Sequence, residues 1–382
     1  MFKRLTDKLD NAVRAGLPGC DCVVYHKGKC VYRYFTGVSS LEDGTPMNGK
    51  EFYNIYSSSK LITCVAAMQL WEKGKFCLED DLCKYMPEFT DMNVRKEDGS
   101  IVPAKNKIKI KHLFTMSSGL DYNINSNGIL RAKKETEGRC PTREVMKYIA
   151  TEPLEFEPGE KWRYSLAHDV LAALVEVLTG KTFGEYVKEN VFKPAGMENT
   201  TFLLDDSEVY KLAEQYRYHA NATEELNKLD PEADKYRSNG GFENVGKYIQ
   251  SYKFGTEYES GGAGAISTTE DYIKLLEAVR TGILIKPETL DMMSVNQFTD
   301  KQLELFWEGI YGYGYGLGVK CPKDGDNSLT NIGWGGSAGA HWFIDIKNEI
   351  TLCYHQHVLS SPKYGLGENL TKVTTKIILG GK

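Results

Sequence analysis

The pattern of apolar and polar positions divides the chain into a sheet-forming region at each end and a helical region between them. Phe2, Leu5, Leu9 and Val13 recur about one turn apart, which predicts an amphipathic helix over residues 2 to 15, broken at Gly16 to Gly19. Cys22 to Tyr25 and Val31 to Phe35 are rich in β-branched and aromatic residues and flank His26-Lys27-Gly28-Lys29, the pattern of an antiparallel hairpin. From about 75 to 260 the signals are mainly helical, punctuated by Pro87, Pro103, Gly119, Pro141, Pro153 and Pro194. Within that stretch Val170 to Leu178 predicts a helix stopped by Thr179-Gly180. Ser267-Thr268-Thr269-Glu270 predicts a capping box before a helix at Tyr272 to Val279. Strand character returns near Tyr311 to Val319, holds from Asn331 to Val358, and gives way to a last helix over Gly367 to Ile378. The fold expected is α+β: an antiparallel sheet built from both termini and flanked by helices, with an inserted mainly helical domain. The expected boundaries are 1–75 and 261–382 for the sheet domain and 76–260 for the helical one.

One helix in this scheme differs from the rest. From Leu61 to Trp71 only Thr63 and Gln69 are polar, so it is expected to be wrapped by protein on most sides. It opens on Ser57-Ser58-Ser59-Lys60, and Ser57 and Lys60, three residues apart on a helix, share one face with about 5–6 Å between Cβ atoms. That is the spacing of a nucleophile and its base. A serine hydroxyl attacks only when its proton is taken, and a lysine takes it only if burial or a cationic field lowers its pKa. The helix N-terminus adds to that field and turns free N–H groups toward a reacting carbonyl. The bland alternative is that Ser57 simply caps the helix. A second serine-x-x-lysine, Ser360-Ser361-Pro362-Lys363, carries a proline before its lysine and does not suit a buried helix.

Two further stretches supply what acyl transfer needs besides a nucleophile, a proton shuttle and an oxyanion hole. Glu157-Pro158-Gly159-Glu160 is a tight turn leading to Tyr164, which beside Lys60 is placed to exchange a proton with Ser57; its alternative is a packed tyrosine bonded to backbone. Gly333-Trp334-Gly335-Gly336-Ser337-Ala338-Gly339 enters a strand whose glycines let a substrate lie close, and an N–H there can pair with that of Ser57. Gly335 to Gly339 also matches a nucleophile elbow, but an elbow requires a helix after its serine, and Ala340 to Tyr354 alternates like a hairpin. His341, His355, His357, His112 and His168 are expected to serve packing or the surface.

Composition narrows the function classes. Hydrophobic content of 41% suffices for a large core, and a net charge of −5 with both signs scattered offers no basic stripe for nucleic acid or membrane. The first ten residues are charged throughout, without the apolar stretch of a secretory signal, and no run reaches the roughly 18 apolar residues of a membrane span. The nine cysteines are odd in number and scattered, which argues against a disulfide framework. Cys20-Asp21-Cys22 has no second ligand pair at metal-binding spacing. A cytoplasmic protein acting on a small molecule is expected.

Taken together, Tyr56 to Lys60, Ile110 to Leu120 ending Thr115-Met116-Ser117-Ser118-Gly119-Leu120, Phe156 to Gly180 and Gly333 to Gly339 resemble the serine β-lactamase-like superfamily. The chain is most similar to its family VIII carboxylesterases and class C β-lactamase-related hydrolases. The resemblance implies that Ser57 is the nucleophile, Lys60 and Tyr164 move the proton, and Trp334-Gly335-Gly336 with Ser337 line the substrate and oxyanion site. Trp334 stands where lactamases carry a lysine that grips a substrate carboxylate, and Leu166 where they carry an asparagine. The implied activity is hydrolysis of small carboxylic esters through an acyl-enzyme on Ser57, with no metal or organic cofactor. The alternatives are a β-lactamase, a D-amino acid peptidase or an acyltransferase on the same scaffold, or a penicillin-binding sensor that acylates without turnover. The expected partner is a small ester or amide, with no nucleic acid and no membrane.

Overall fold

A computed structural model of the chain describes residues 1–219, 241–247, 252–323, 329–361 and 366–380. Its main sheet has eight strands in the order Tyr313–Tyr315, Lys320–Pro322, Asn331–Gly335, His341–Asp345, Ile350–Gln356, Gly19–His26, Lys29–Ser40, Thr45–Pro46. Every neighbouring pair is antiparallel. The two ends of the sequence meet at its centre, where Cys22 lies opposite Tyr354 and Val24 opposite Leu352.

Side-chain alternation assigns the two faces. Cys20, Cys22, Val24, Phe343, Leu352 and Tyr354 point to one side, against Leu5 and Leu9 of the helix Lys3–Arg14 and Leu370 of the helix Glu368–Ile378. Val23, Trp342, Ile344 and Cys353 point to the other side and join the larger core. That core holds the helix Ser59–Glu72, in which every residue from Ser59 to Leu70 is buried, packed against the helix Ala167–Thr179. A helix apolar all round has no face to give to solvent, so burial on all sides follows from its composition.

One local expectation is corrected and one alternative is excluded. The cap of the helix Thr269–Arg280 is Thr268, whose hydroxyl accepts from the N–H of Asp271, one residue later than the expected Ser267 to Glu270 box. The serines at 57 to 59 cap nothing: Ser58, at the N-cap position of the central helix, makes no side-chain cap bond, and the Ser59 hydroxyl donates to the Tyr56 carbonyl at 2.6 Å. Ser57 instead lies in a 3-10 turn, Tyr56–Ser58, in front of the α-helix. The cause is Tyr56, whose φ of 46° is left-handed, a conformation that strains a non-glycine residue by about 1–3 kcal/mol and bends the chain into the helix.

No disulfide joins any of the nine cysteines. Asp21 is engaged by Arg33, with Oδ2 accepting from Nη2 at 2.9 Å. Among the described residues no helix is long and apolar enough to cross a membrane. Pro362 and Lys363 of the second serine-x-x-lysine lie outside the described residues.

Candidate active site

The left-handed Tyr56 is held in place at both ends. Its hydroxyl donates to Gln215 at 2.9 Å, and the turn behind it is laced to the small-residue run 261 to 265. The Ile55 N–H donates to the Ala265 carbonyl at 3.1 Å, and the Ala265 N–H to the Ser59 hydroxyl at 2.9 Å. Strain is retained only where the surroundings fix it, and here it turns Ser57 out of the helix cap and toward two proton-bearing groups.

Ser57 Oγ lies 3.3 Å from Lys60 Nζ and 2.5 Å from the hydroxyl of Tyr164. The structure thus brings together the three residues selected from sequence. Lys60 is 1% exposed and also donates to the Gly262 carbonyl at 2.6 Å, with Nζ 4.5 Å from the Tyr164 ring centre. Gly262 admits no side chain: a Cβ there would sit 2.5 Å from Asp169 Oδ2 and 3.5 Å from Lys60 Nζ. Asp169, fully buried, accepts from the hydroxyls of Tyr258 at 3.0 Å and Ser260 at 2.6 Å, and burial pushes its carboxyl above the ordinary aspartate value.

Tyr164 reaches the nucleophile because its loop is braced by the segment ending Thr115 to Leu120. The Arg163 N–H donates to the Met116 carbonyl at 3.0 Å and the Gly159 N–H to the Ser117 carbonyl at 2.8 Å. The Tyr164 ring stacks on Trp334 with centres 6.0 Å apart. Gly336 follows directly after that strand, and its Cα approaches the nucleophile turn so closely that a Cβ would lie 2.4 Å from the Ile55 carbonyl oxygen. Ser57, Tyr164, Trp334, Gly335, Gly336 and Ser337 all line one cleft of about 390 Å³. Ser337 sits in a turn that leads into the strand His341–Asp345, so the elbow pattern at Gly335 to Gly339 has no helix behind it.

A larger cavity, about 820 Å³, opens elsewhere between Arg33, Glu51, Lys211 and Glu270 and contains none of these groups. Size therefore does not select the site; the nucleophile geometry does. His168, His355 and His341 are each buried and bonded to a partner other than Ser57, and His341 lines the same cleft. Burial pushes His168 and His355 down to about 3 and His341 to about 4, so each is neutral near pH 7, and none is bonded to Ser57.

A family model described as Beta-lactamase matches residues 2–370. The chain belongs to the beta-lactamase family. Within that family it is 29% identical over 354 residues to the esterase EstB of Burkholderia gladioli, covering 90% of this chain and 86% of the relative. It is 29% identical over 367 residues to the lovastatin esterase of Penicillium rubens, covering 86% of each. Among solved structures, EstCE1, a hydrolase with promiscuous acyltransferase activity, matches with a TM-score of 0.75 at 24% identity over 97% of both chains. The beta-lactamase-type α+β fold is thereby established.

Three parts of this beta-lactamase family member's site were not singled out from sequence: the Gly262 carbonyl, Asp169 and the Lys320 group described below. The run Gly261-Gly262-Ala263-Gly264-Ala265 was the available signal for the first, since small residues mark a close approach of backbone. Asp169 stood in an apolar helix, where a lone buried carboxylate calls for a partner.

Proposed function

We propose that the protein is a serine hydrolase that cleaves small carboxylic esters through an acyl-enzyme on Ser57. The observation that supports this most is the Ser57 hydroxyl held within hydrogen-bond reach of both Lys60 Nζ and the Tyr164 hydroxyl at the floor of a cleft. Ser57 Oγ attacks the ester carbonyl while its proton passes to the Lys60 and Tyr164 pair in its singly deprotonated form, either a neutral Lys60 amine beside the Tyr164 hydroxyl or a Tyr164 phenolate beside the Lys60 ammonium. The oxyanion faces the N–H groups of Ser57 and Ser337, neither of which donates to a backbone carbonyl outside a helix or strand among the described residues. Tyr164, beside Oγ, returns a proton to the departing alkoxide. Water then attacks the acyl-enzyme along the same path. These steps move protons and an acyl group only. Trp334 and Gly335 form the wall against which the substrate lies. The cleft belongs to the proposed sheet domain, 1–75 and 261–382, where it meets the helical domain, 76–260.

Esterase names among the curated relatives support the substrate class. Acyltransferase names among them, such as the acyltransferase calJ of Penicillium decumbens at 26% identity, support a second outcome in which an alcohol replaces water in the last step. Trp334 and Leu166, in place of the lysine and asparagine of lactamases, argue against strong penicillinase activity. Thiols without disulfides fit a reducing cytoplasm.

The test is turnover of p-nitrophenyl butyrate by the protein and by Ser57→Ala, with nitrocefin alongside. Loss of several powers of ten in the variant is expected, by analogy with catalytic groups that act as a unit. Comparable turnover by the variant refutes the assignment.

A further inference from the structure

The cleft that holds Ser57 still contains an ammonium, although Trp334 occupies the place of the lactamase lysine. It comes from Lys320, on the strand paired to Asn331–Gly335 with Lys320 opposite Gly333. This lysine is 4% exposed, and its Nζ is already bound on two sides. Glu368, at the start of the last helix, accepts from it directly, and Glu308 Oε2 lies 3.5 Å away. The Tyr313 ring, 4.3 Å from Nζ, fills a third side, and its hydroxyl donates to Glu368 at 3.0 Å. Both carboxylates line the cleft together with Lys320.

We propose that Glu308 and Glu368 are specificity-determining residues, which neutralise Lys320 and leave this bank of the cleft negative, so that the enzyme selects neutral or cationic esters and rejects those carrying a free carboxylate. The inference rests on the esterase reading of Ser57. Two carboxylates around one ammonium leave a net charge of −1. Of the other titratable groups here, His341 is pushed down to about 4 by burial and adds no positive charge near pH 7, and burial pushes the Tyr313 hydroxyl up so that it adds no charge either. Burial alone would raise the Glu368 carboxyl, but the Lys320 ammonium beside it holds it below the ordinary glutamate value, so it stays ionised. A substrate anion therefore meets like charge on this bank of the cleft, and Lys320, the cation beside it, is already paired. Discrimination here works by repulsion as much as by fit.

A matched pair of esters isolates the charge: p-nitrophenyl butyrate and mono-p-nitrophenyl succinate have acyl chains of equal length, and only the second ends in a carboxylate. The protein should favour the butyrate by about tenfold or more in kcat/KM, with the gap narrowing as salt is raised. Glu368→Gln and, independently, Glu308→Gln should each reduce the butyrate-to-succinate ratio by several-fold, because either change frees Lys320 for an incoming carboxylate. The two glutamates lie on separate elements, so a folding defect in one variant leaves the other as the test. A parent ratio near one, or a ratio unmoved in both variants, overturns the proposal. Butyrate turnover that survives Ser57→Ala would instead overturn the esterase reading, whatever the ratio.

Discussion

Replacing Tyr164 by phenylalanine removes one oxygen atom and tests how the proton leaves Ser57. The ring has its own supports: the stack on Trp334 at 6.0 Å, the tilted contact with Trp307 at 5.6 Å, and Lys60 Nζ at 4.5 Å from its centre. All three survive in Tyr164→Phe. The hydroxyl bonds to Ser57 Oγ at 2.5 Å, so the fold loses about 1 kcal/mol, the net worth of one hydrogen bond. In a chain of this size that lowers Tm by no more than about 3 °C. Catalysis should lose far more. General acid–base groups contribute about 10²–10⁴ in rate, equivalent to roughly 3–5 kcal/mol of the barrier. The expected result on p-nitrophenyl butyrate is a kcat reduced at least a hundredfold, with KM within a few-fold of the parent and Tm almost unchanged. A kcat within threefold of the parent would show that Lys60 alone carries the proton and that the short contact is packing.

Other consequences concern Asp169 and the buried histidines. Asp169→Asn keeps an oxygen for Tyr258 and Ser260 but deletes the negative charge on the far side of Gly262 from Lys60. The acid limb of the kcat/KM profile should move to lower pH, and an unmoved limb would make Asp169 purely structural. His168, His355 and His341 have folded-state values of about 3, 3 and 4, below the ordinary 6.5. Their contribution to stability is complete above pH 6.5 and is lost as pH falls toward those values, each at about 1.4 kcal/mol per unit. Asp21 and Glu176, raised by burial to about 6 and about 7, act in the opposite direction, since acid relieves their buried charge. Tm followed from pH 7 to pH 4 should fall, and a flat or rising curve would contradict the burial of these rings.

The sequence carried the nucleophile and its lysine because they are neighbours on one helix face, where spacing alone sets distance. The order of strands and helices was likewise legible from periodicity, and the two ends of the chain do pair at Cys22 and Tyr354. Tyr164 needed the Glu157 to Glu160 turn and a family resemblance, because 107 residues separate it from Ser57 and no local pattern encodes where a loop lands. The alternative in which Ser57 merely caps the helix fails at Tyr56, whose left-handed backbone is held by contacts with Gln215 and the run at 261 to 265. Lys320, Glu308 and Glu368 come from three separate elements and look like ordinary surface charges in sequence. Only the folded sheet shows that the lysine is 4% exposed and shared.

The central claim is that the Ser57 hydroxyl becomes covalently acylated during turnover. Intact-protein mass spectrometry of a rapidly quenched reaction with p-nitrophenyl butyrate, followed by peptide mapping, tests it directly. The account predicts one transient butyryl group per chain, mapped to Ser57 and absent from Ser57→Ala. A butyryl group on any other residue, or steady turnover with the Ser57 peptide never modified, would contradict it.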